Sequence, residues 1–233
     1  MLIITSRHRS QDLEAYAQYK EIDQMTRWSE IKAKYSIHEI EKWCLLHSSI
    51  CLTSWGKDSI VMLHLLIQSK VNIPVIWIKF SDRYNPDCEL VRNSFLRAFD
   101  LNYHEEVFNY KEVRKGDKHW KAVEKKYTPY RITGVRNDES KGRLIQYLVS
   151  GHSSIHGCRP LALWKSSEIF AYIEQNSLPL CPVYGYLGGG RWDRMRIRTH
   201  SIAGTTANGI GRTEWEKEYY PDLLRKIEAH VSY

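Results

Sequence analysis

The amino-acid sequence predicts the α/β class, with a doubly wound and mostly parallel sheet that is extended by helices at both ends of the chain. Two observations support this class. Short apolar runs alternate with helical stretches between residues 49 and 126, and this alternation is typical of parallel strands covered by helices on both faces. A turn that contains glycine, residues 54–59, follows the first apolar run and precedes a helical stretch. It therefore connects a strand to a helix.

The predicted core covers about residues 48–184. Its strands are short runs rich in β-branched and aromatic residues, and the run PVIWIKF is apolar almost throughout, as in a buried strand. Strands are predicted at residues 49–53, 74–80, 103–108 and 130–136. Helices are predicted at residues 57–69, 86–99, 117–126 and 165–176.

The two ends of the chain lie outside this core. Residues 10–47 carry apolar and aromatic side chains at helical spacing, which predicts one or two amphipathic helices with a break near Ser36. Residues 185–211 are rich in glycine and arginine and predict a long, mobile loop, which in a compact domain is usually functional or disordered. A final helix is predicted at residues 213–230. Because the sequence shows no repeat and no proline-rich linker, residues 1–233 are expected to form a single domain.

The composition excludes several classes of protein. Hydrophobic residues make up 42% of the chain and charged residues 26%, as in ordinary globular proteins. No run approaches the roughly 20 apolar residues of a transmembrane helix, and the five cysteines form no CxxC pair, which argues against a disulfide framework or a metal ribbon. We expect a cytoplasmic protein without membrane contact. Its net charge of +7 favours anionic partners such as nucleotides or nucleic acid.

The turn at residues 54–59 carries the residue types that bind phosphate. It lies where the first strand ends, which is where ligands bind in an open parallel sheet. Free N–H groups at the start of the following helix attract anions, and Gly56 permits a close approach of the backbone. Lys57 adds a positive charge, while Ser54 and Ser59 can donate hydroxyl hydrogen bonds. The alternative is a capped helix start with a solvated Lys57.

The sequence of this turn, SWGKDS, differs from the Walker A loop because Asp58 follows Lys57 where that loop has Ser or Thr. It resembles the pyrophosphate loop SGGxDS of the adenine nucleotide α-hydrolase superfamily, with Trp55 in place of the first glycine. Two later segments are similar to elements of the phosphoadenosine phosphosulfate reductase-like branch of that superfamily. They are GxRxxES…R, matched by Gly134, Arg136, Glu139, Ser140 and Arg143, and RPL…W…YI…LP…Y, matched within residues 159–184.

The resemblance implies a Rossmann-like fold of the adenine nucleotide α-hydrolase type and a set of nucleotide-binding residues. These are Ser54, Trp55, Gly56, Lys57, Asp58, Ser59, Phe80, Ser81, Asp82, Gly134, Arg136 and Arg143. Arg136 suits phosphate because a guanidinium binds two oxygens at once; its alternative is a surface pair with Glu139. For Arg159, a ligand contact and a buried structural role both stay open.

The resemblance also implies a reaction. Many sulfonucleotide reductases use a cysteine in a carboxyl-terminal ECGIH-like motif, and this sequence has no cysteine after Cys181. The expected activity is that of an ATP pyrophosphatase, which cleaves ATP between the α and β phosphates. Its catalytic residues would be Lys57, Asp58, Ser59 and Arg136. Asp58, and less so Asp82, would hold Mg²⁺ beside the ATP phosphates, and no iron–sulfur cluster is expected.

A basic chain of this branch without the reductive cysteine is similar to the ATP pyrophosphatases of DNA phosphorothioate modification systems. This similarity implies partner proteins of a sulfur-transfer or DNA-modification system and contact with DNA. Cationic and aromatic residues of the 185–211 loop fit nucleic acid, with a lid over ATP or a partner-binding surface as alternatives. They are Arg191, Trp192, Arg194, Arg196 and Arg198.

Other functions stay open from the sequence. One is a sulfurtransferase that acts on RNA or a small metabolite, and another is a non-catalytic module that senses ATP or binds nucleic acid. Cys158 and Cys181 can be sulfur carriers, although such cysteines are more often buried packing residues. His152, His156 and Cys158 offer metal ligands only superficially, because no fourth ligand follows at a matching spacing.

Overall fold

The computed structural model describes residues 1–113, 118–199, 201–203 and 212–231. Within these residues, a sheet of six strands forms the centre of the molecule. The strands are β1 Ile50–Thr53, β2 Val75–Phe80, β3 Tyr103–Phe108, β4 Arg131–Ile132, β5 Ser153–Ser154 and β6 Gly157–Cys158. Their order is β3-β2-β1-β4-β6-β5, and all neighbours pair in parallel except β5 and β6. The predicted mostly parallel α/β architecture is confirmed.

Helices flank the sheet and extend the chain at both ends. They are α1 Ser10–Met25, α2 Glu30–Leu46, α3 Lys57–Gln68, α4 Asp87–Ala98, α5 Tyr110–Val113, α6 Lys118–Lys126, α7 Lys141–Ser150, α8 Ser166–Gln175, α9 Arg212–Tyr219 and α10 Pro221–Val231. Short 3-10 turns lie at Asn137–Glu139, Pro182–Gly185 and Gly188–Gly190. No described helix is long and apolar enough to span a bilayer.

The strand order places a binding crevice at the carboxyl ends of the central strands. Strand β1 pairs with β2 on one side and with β4 on the other, so the chain reverses its direction of winding at β1. In open parallel sheets, ligands bind beyond the carboxyl ends of the strands at such a reversal. The turn at residues 54–59 lies there, between β1 and α3.

Most of helix α3 is buried in the core. Ile60, Val61, Met62 and Leu63 are fully buried, as are most apolar residues of the following turn. Burial of each such side chain contributes about 1.5–3 kcal/mol. The start of α3 is therefore a rigid platform at the end of β1.

Three predicted elements differ from those observed. The break between the first two helices lies at residues 26–29 and not near Ser36, because Ser29 caps α2 by accepting a hydrogen bond from the Lys32 N–H group. Ser36 lies buried inside α2, where its hydroxyl donates to the Pro160 carbonyl oxygen over 2.7 Å. The strand predicted at residues 130–136 is only two residues long, and the final helix is divided before Pro221.

The loop predicted to be mobile is packed where the structure describes it. Tyr186, Leu187 and Arg194 are fully buried, and Ile202 N–H donates to the Arg83 carbonyl oxygen over 2.8 Å. The glycines that suggested mobility serve other purposes here: Gly188 and Gly189 adopt the left-handed conformation that tight turns require. Residues 200 and 204–211 of this loop lie outside the described part of the chain.

Candidate functional site

A cavity of about 1050 Å³ opens at the carboxyl ends of β1, β2 and β4. The turn at residues 54–59 lines one side, through Ser54, Gly56, Lys57, Asp58 and Ser59. Strand β2 contributes Ile76 to Phe80, and the residues after β4 contribute Thr133 to Arg136. The lining also includes Trp192, Asp193, residues 195–199 and Ser201. The structure therefore brings together the three chain segments that the sequence predicted to bind nucleotide.

The turn offers several hydrogen-bond donors to this cavity. The first N–H groups of a helix have no partners within the helix. In α3, the backbone N–H group of Lys57 donates to the Tyr184 hydroxyl oxygen over 3.1 Å. No acceptor in the described part of the chain takes the N–H groups of Asp58 and Ser59. Ser54 and Ser59 bind each other through their hydroxyls, 3.1 Å apart. These amides and the helix dipole form an anion-binding surface.

Gly56 allows the opposite wall to close over the turn. A Cβ atom at this position would lie 2.7 Å from Thr199 Oγ1 and 3.2 Å from the Tyr184 hydroxyl oxygen. The Thr199 hydroxyl also donates to the Ser54 carbonyl oxygen over 3.5 Å. Any side chain at residue 56 would therefore push the segment that contains Thr199 away from the turn.

The side chain of Trp55, one of the predicted nucleotide-binding residues, faces the core and not the cavity. The indole is fully buried and packs against Phe95 and Tyr103, with ring centroids 6.1 Å and 5.4 Å away. It is not among the described residues that line the cavity. Its φ of 58° lies in the left-handed region that favours glycine, which explains the glycine in the related loops. Core packing stabilises a tryptophan in this strained conformation.

Lys57, Asp58 and Arg136 form one ion network on the cavity wall. Lys57 Nζ lies 3.0 Å from one Asp58 oxygen, and Arg136 Nε lies 2.6 Å from the other. Burial by itself raises the pKa of Asp58, but the Lys57 and Arg136 charges outweigh it and hold the pKa below the ordinary value of 3.8. Asp58 is thus a carboxylate that holds both cations in place. Gly134 permits this approach, since a Cβ there would meet the Asp58 backbone at 3.1 Å.

Arg136 has further partners behind the cavity wall. Its guanidinium pairs with Asp138 and donates to Trp164 O and Ser166 Oγ over 3.5 Å and 3.4 Å, and only 3% of the side chain is exposed. Direct contact of Arg136 with phosphate stays a prediction. The alternative, a surface ion pair between the Arg136 guanidinium and Glu139, is not observed, because the guanidinium pairs with Asp58 and Asp138.

Glu139 instead connects two segments beside the cavity. It accepts from the Arg136 backbone N–H over 3.1 Å and pairs with the Arg143 guanidinium. Arg143 lines the cavity and is about one-third exposed. It is therefore the more accessible of the two predicted phosphate-binding arginines.

The residues around Asp58 do not fit a magnesium ion. Each oxygen of this carboxylate already binds a cation, and a third cation in bonding contact would be repelled by both. No group of three metal-binding side chains occurs in residues 1–113, 118–199, 201–203 and 212–231. We therefore derive no step through a metal held by this chain.

Ser81 and Asp82 differ from their predicted position. Neither belongs to the described lining of the cavity. Asp82 accepts from the Tyr110 N–H over 2.9 Å and lies 3.4 Å from Arg83 Nε, so it caps α5. Phe80 does line the cavity, with its ring edge-on to Tyr110 at a centroid distance of 5.3 Å.

Sequence reasoning missed several aromatic groups of the site. Trp77, Tyr84, Trp120 and Tyr184 all line the cavity. Trp77 lies in β2, whose residues from Ile76 to Phe80 all line the cavity, so its place in the predicted strand was a readable signal. Tyr184, in contrast, reaches the turn from 127 residues away. Only the folded chain reveals that contact.

The arginines of the 185–211 loop divide into three kinds. Arg194 was predicted to contact nucleic acid or a partner, but it is fully buried. It donates to Asp23 over 2.7 Å and packs on the Phe170 ring at 4.0 Å. Arg191 is exposed, pairs with Glu214 over 2.7 Å and lies 4.5 Å from the centre of the Trp192 ring. Arg196 and Arg198 are exposed and line the cavity together with Trp192.

The remaining candidates lie outside the described lining of the cavity. Cys158 and Cys181 are buried, and burial raises the pKa of the Cys158 thiol to about 12, which suits packing rather than sulfur transfer. Arg159 is 6% exposed and donates to the Gly151 carbonyl oxygen over 3.1 Å. His152 and His156 belong to no group of three metal-binding side chains among the described residues.

Comparison with known proteins identifies a family match and a shared fold. Residues 48–187 match the family described as phosphoadenosine phosphosulfate reductase domain. The phosphoadenosine 5'-phosphosulfate reductase of Synechococcus sp. is 26% identical over 169 residues, which are 62% of this chain and 73% of the relative. That of Buchnera aphidicola subsp. Acyrthosiphon pisum is 29% identical over 186 residues, 68% of this chain and 76% of the relative.

Two solved structures share the architecture. Candida glabrata FMN adenylyltransferase in complex with ATP superimposes with a TM-score of 0.50 and 13% identity, covering 78% of this chain and 70% of that one. NMN synthetase from Francisella tularensis gives a TM-score of 0.50 and 11% identity, covering 66% of this chain and 73% of that one. At such identities the likeness concerns the fold alone. It confirms the Rossmann-like, mostly parallel sheet predicted from the sequence.

Proposed function

The chain belongs to the phosphoadenosine phosphosulfate reductase domain family, and from this membership we propose that it is an ATP pyrophosphatase. It would cleave ATP between the α and β phosphates and release pyrophosphate. Either water or an acceptor oxygen would receive the AMP group. The observation that carries the proposal is the open helix start of α3 in the wall of the cavity, next to the buried Lys57.

The donors of the turn suit the leaving pyrophosphate. We assign the β and γ phosphates to the N–H groups of Asp58 and Ser59, the Ser59 hydroxyl and the Lys57 ammonium group. All three residues line the cavity. Negative charge grows on pyrophosphate as the bond breaks, and fixed donors aimed at that charge lower the barrier without reorganisation. The catalysis proposed is therefore electrostatic.

Asp58 and Arg136 would act mainly by positioning in this scheme. The Asp58 carboxylate binds Lys57 Nζ at 3.0 Å and Arg136 Nε at 2.6 Å, so it fixes the direction of the ammonium group. Without Asp58, two buried cations would repel each other. Magnesium enters the proposal only as the ion that accompanies the ATP phosphates.

The cavity also contains groups suited to a nucleoside. Trp77, Phe80 and Tyr84 offer aromatic surfaces beside the ends of β1 and β2. A base can pack on such rings while polar groups fix its orientation. ATP matches both parts of the cavity, because its base fits the aromatic surface and its phosphates fit the turn.

We assign the activated intermediate to sulfur incorporation, and most specifically to DNA phosphorothioate modification with other proteins of such a system. The support is the resemblance of the sequence to those pyrophosphatases and the basic net charge of +7. A sulfurtransferase that acts on RNA or a small metabolite differs only in the acceptor. A non-catalytic ATP sensor is disfavoured by the complete ion network around Lys57.

The deciding experiment uses ATP labelled at the α phosphate. Purified protein is incubated with labelled ATP and Mg²⁺, and AMP is separated from ADP by chromatography. We expect AMP and pyrophosphate from the wild type and from Lys34→Ala, which removes an exposed lysine of α2. Lys57→Ala and Ser59→Ala should lose both products. ADP as the product would contradict the proposal, and bound ATP without product would favour the ATP sensor.

A second candidate is reduction of phosphoadenosine phosphosulfate, because the curated relatives bear that name. Sulfite release from this compound in the presence of a dithiol reductant tests it directly. Sulfite formation without AMP formation from ATP would select reduction over ATP cleavage.

A further inference from the structure

Helix α7 turns an apolar face away from the rest of the protein. Leu144, Ile145, Leu148 and Val149 lie within an arc of about 140° around the helix axis, since an α-helix has 3.6 residues per turn. These residues are 46–81% exposed, and no residue of α7 is buried. An apolar stripe of this width ordinarily packs on the core of a protein. The four residues are named here the α7 apolar face.

The opposite side of α7 holds the helix on the protein. Arg143, Tyr147 and Ser150 are half-buried on that side. Arg143 pairs with Glu139, and the Tyr147 ring lies edge-on to His152 with the centroids 5.1 Å apart. The α7 apolar face therefore points away from the part of the chain on which the helix packs. Apolar surfaces that stay open in this way are typical of sites that bind another macromolecule.

The α7 apolar face belongs to a long segment without formal charge. Residues 144–158 contain no Asp, Glu, Lys or Arg, whereas the whole chain has a net charge of +7. Two copies of a basic chain repel each other, so they approach most closely where their surfaces carry no charge. A strongly acidic or basic partner would find no counter-charge on this segment. The charge distribution thus favours a second copy of the chain over a charged partner.

The arrangement of the side chains also suits a second, identical helix. Leu144 and Leu148 form one row along α7, and Ile145 and Val149 form the next row, each with a spacing of four residues. Such rows are ridges with a groove between them, and the ridges of one helix pack into the groove of another. Because both copies present the same rows, two α7 helices meet the requirement of a symmetric dimer, in which one surface contacts itself.

The exposed area indicates a dimer of modest stability. At roughly 60–120 Å² of apolar surface per aliphatic side chain, the exposed parts of the α7 apolar face amount to about 150–300 Å² in each copy. A stable dimer buries about 800 Å² per partner, rather more than half of it apolar. Ile155, at the tip of the β5–β6 hairpin that follows α7, is a further exposed apolar residue. These areas suit a dimer that dissociates on dilution.

We propose that the α7 apolar face is the interface of a homodimer, in which the α7 helices of two copies pack against each other. None of its four residues belongs to the described lining of the cavity. The inference therefore goes beyond the proposed function and does not rest on it.

Sedimentation velocity of the full chain over a series of concentrations tests the interface. The mass should rise from that of one chain to that of two as the concentration increases. Leu148→Glu/Val149→Glu places like charges in the contact and should stay monomeric throughout. The control Leu45→Glu/Leu46→Glu makes the same change at exposed apolar residues in the last turn of α2 and should dimerise like the wild type.

A milder variant and a local measurement keep the test independent of damage to the fold. Leu148→Ala/Val149→Ala retains the helix propensity of α7, and we expect it to raise the dissociation constant of the dimer at least about tenfold. Circular dichroism checks the helix content of every variant. In the wild type, amide hydrogen exchange at residues 141–150 should be slower at high protein concentration than at low concentration.

Several results would overturn the inference. A wild type that stays monomeric at every concentration would refute it, as would a dimer that both α7 variants leave intact. Equal dissociation by the α7 and α2 glutamate variants would show that net charge controls association. Exchange at residues 141–150 that is independent of concentration would exclude α7 from the interface. Absence of ATP cleavage, in contrast, would refute the proposed function alone.

Discussion

The charge of Asp58 organises the site at the scale of single residues. Its two oxygens bind Lys57 and Arg136, whose side chains are 6% and 3% exposed. The sequence predicts each of the three residues separately as part of the nucleotide site and does not predict that they bind one another. Their mutual pairing follows only from the proximity of β4 and α3, which Gly134 permits.

Asp58→Asn should destabilise the protein in a manner that depends on pH. The folded pKa of Asp58 lies below its ordinary value of 3.8, so its stabilisation is complete above that pH and is lost as the pH falls through the folded value. At neutral pH we expect a loss of about 3 kcal/mol, because two buried cations lose their counter-charge. Urea unfolding across the acidic range measures it. A difference between wild type and variant that stays constant below the ordinary pKa would contradict this assignment.

Gly56→Ala should open the cavity without unfolding the protein. The added Cβ would lie 2.7 Å from Thr199 Oγ1, so the wall containing Thr199 must move, while alanine at a helix cap costs at most about 1 kcal/mol. We expect ATP affinity, measured by titration calorimetry, to fall at least about tenfold, the equivalent of 1.4 kcal/mol. The double variant Gly56→Ala/Thr199→Ala removes the clashing hydroxyl and should recover part of that affinity. No recovery would mean that Thr199 does not close over the turn.

At the scale of elements, the segment after residue 185 is held by α1. Arg194 donates to Asp23 of α1, and its guanidinium lies 4.3 Å from the Tyr19 ring centre. Asp12 of the same helix accepts from the Gly189 N–H over 3.0 Å and from the Tyr219 hydroxyl over 2.9 Å. Helix α1 therefore supports one wall of the cavity from behind, although none of its residues belongs to the described lining.

Removal of Arg194 should cost far more than removal of an exposed arginine. Arg194→Met leaves the buried Asp23 carboxylate without its partner, and we expect a loss of about 3–5 kcal/mol in the free energy of unfolding. Arg198→Met, at an exposed position, serves as the matched control and should change stability by less than about 0.5 kcal/mol. The double variant Asp23→Leu/Arg194→Met should recover much of the loss. Equal effects of the two single variants would rule out a structural role for Arg194.

At the scale of the whole molecule, ligand binding and stability are coupled through the cavity. The walls come from β1, β2, the residues after β4 and the 192–201 segment, so one ligand contacts parts of the chain that are distant in sequence. A ligand that binds only the folded state stabilises it in proportion to the logarithm of its concentration.

ATP should therefore raise the melting temperature of the wild type. At a concentration of 100 times the dissociation constant, the gain is about 2.7 kcal/mol, which corresponds to about 5–10 °C for a domain of this size. Differential scanning fluorimetry measures the shift, with GTP as the control for base selectivity. Lys57→Ala should reduce the shift strongly. An equal shift with GTP would show that the aromatic wall does not select the base.

The sequence by itself determined the parallel α/β class, the turn at residues 54–59 and the branch of the superfamily, because strand and helix patterns and a six-residue motif are local properties of the chain. It also predicted that the turn and the residues after β4 share one site, since both follow strands of one parallel sheet.

Only the tertiary structure decided which side chains face the cavity. Trp55 lies in the core, Arg194 is buried 171 residues from its partner Asp23, and Tyr184 caps α3 from 127 residues away. Such contacts depend on how layers pack and on the cost of burying charge, which the types and spacings of neighbouring residues do not encode. The cations left exposed in the cavity wall, Arg196 and Arg198, are known only once the buried ones have been identified.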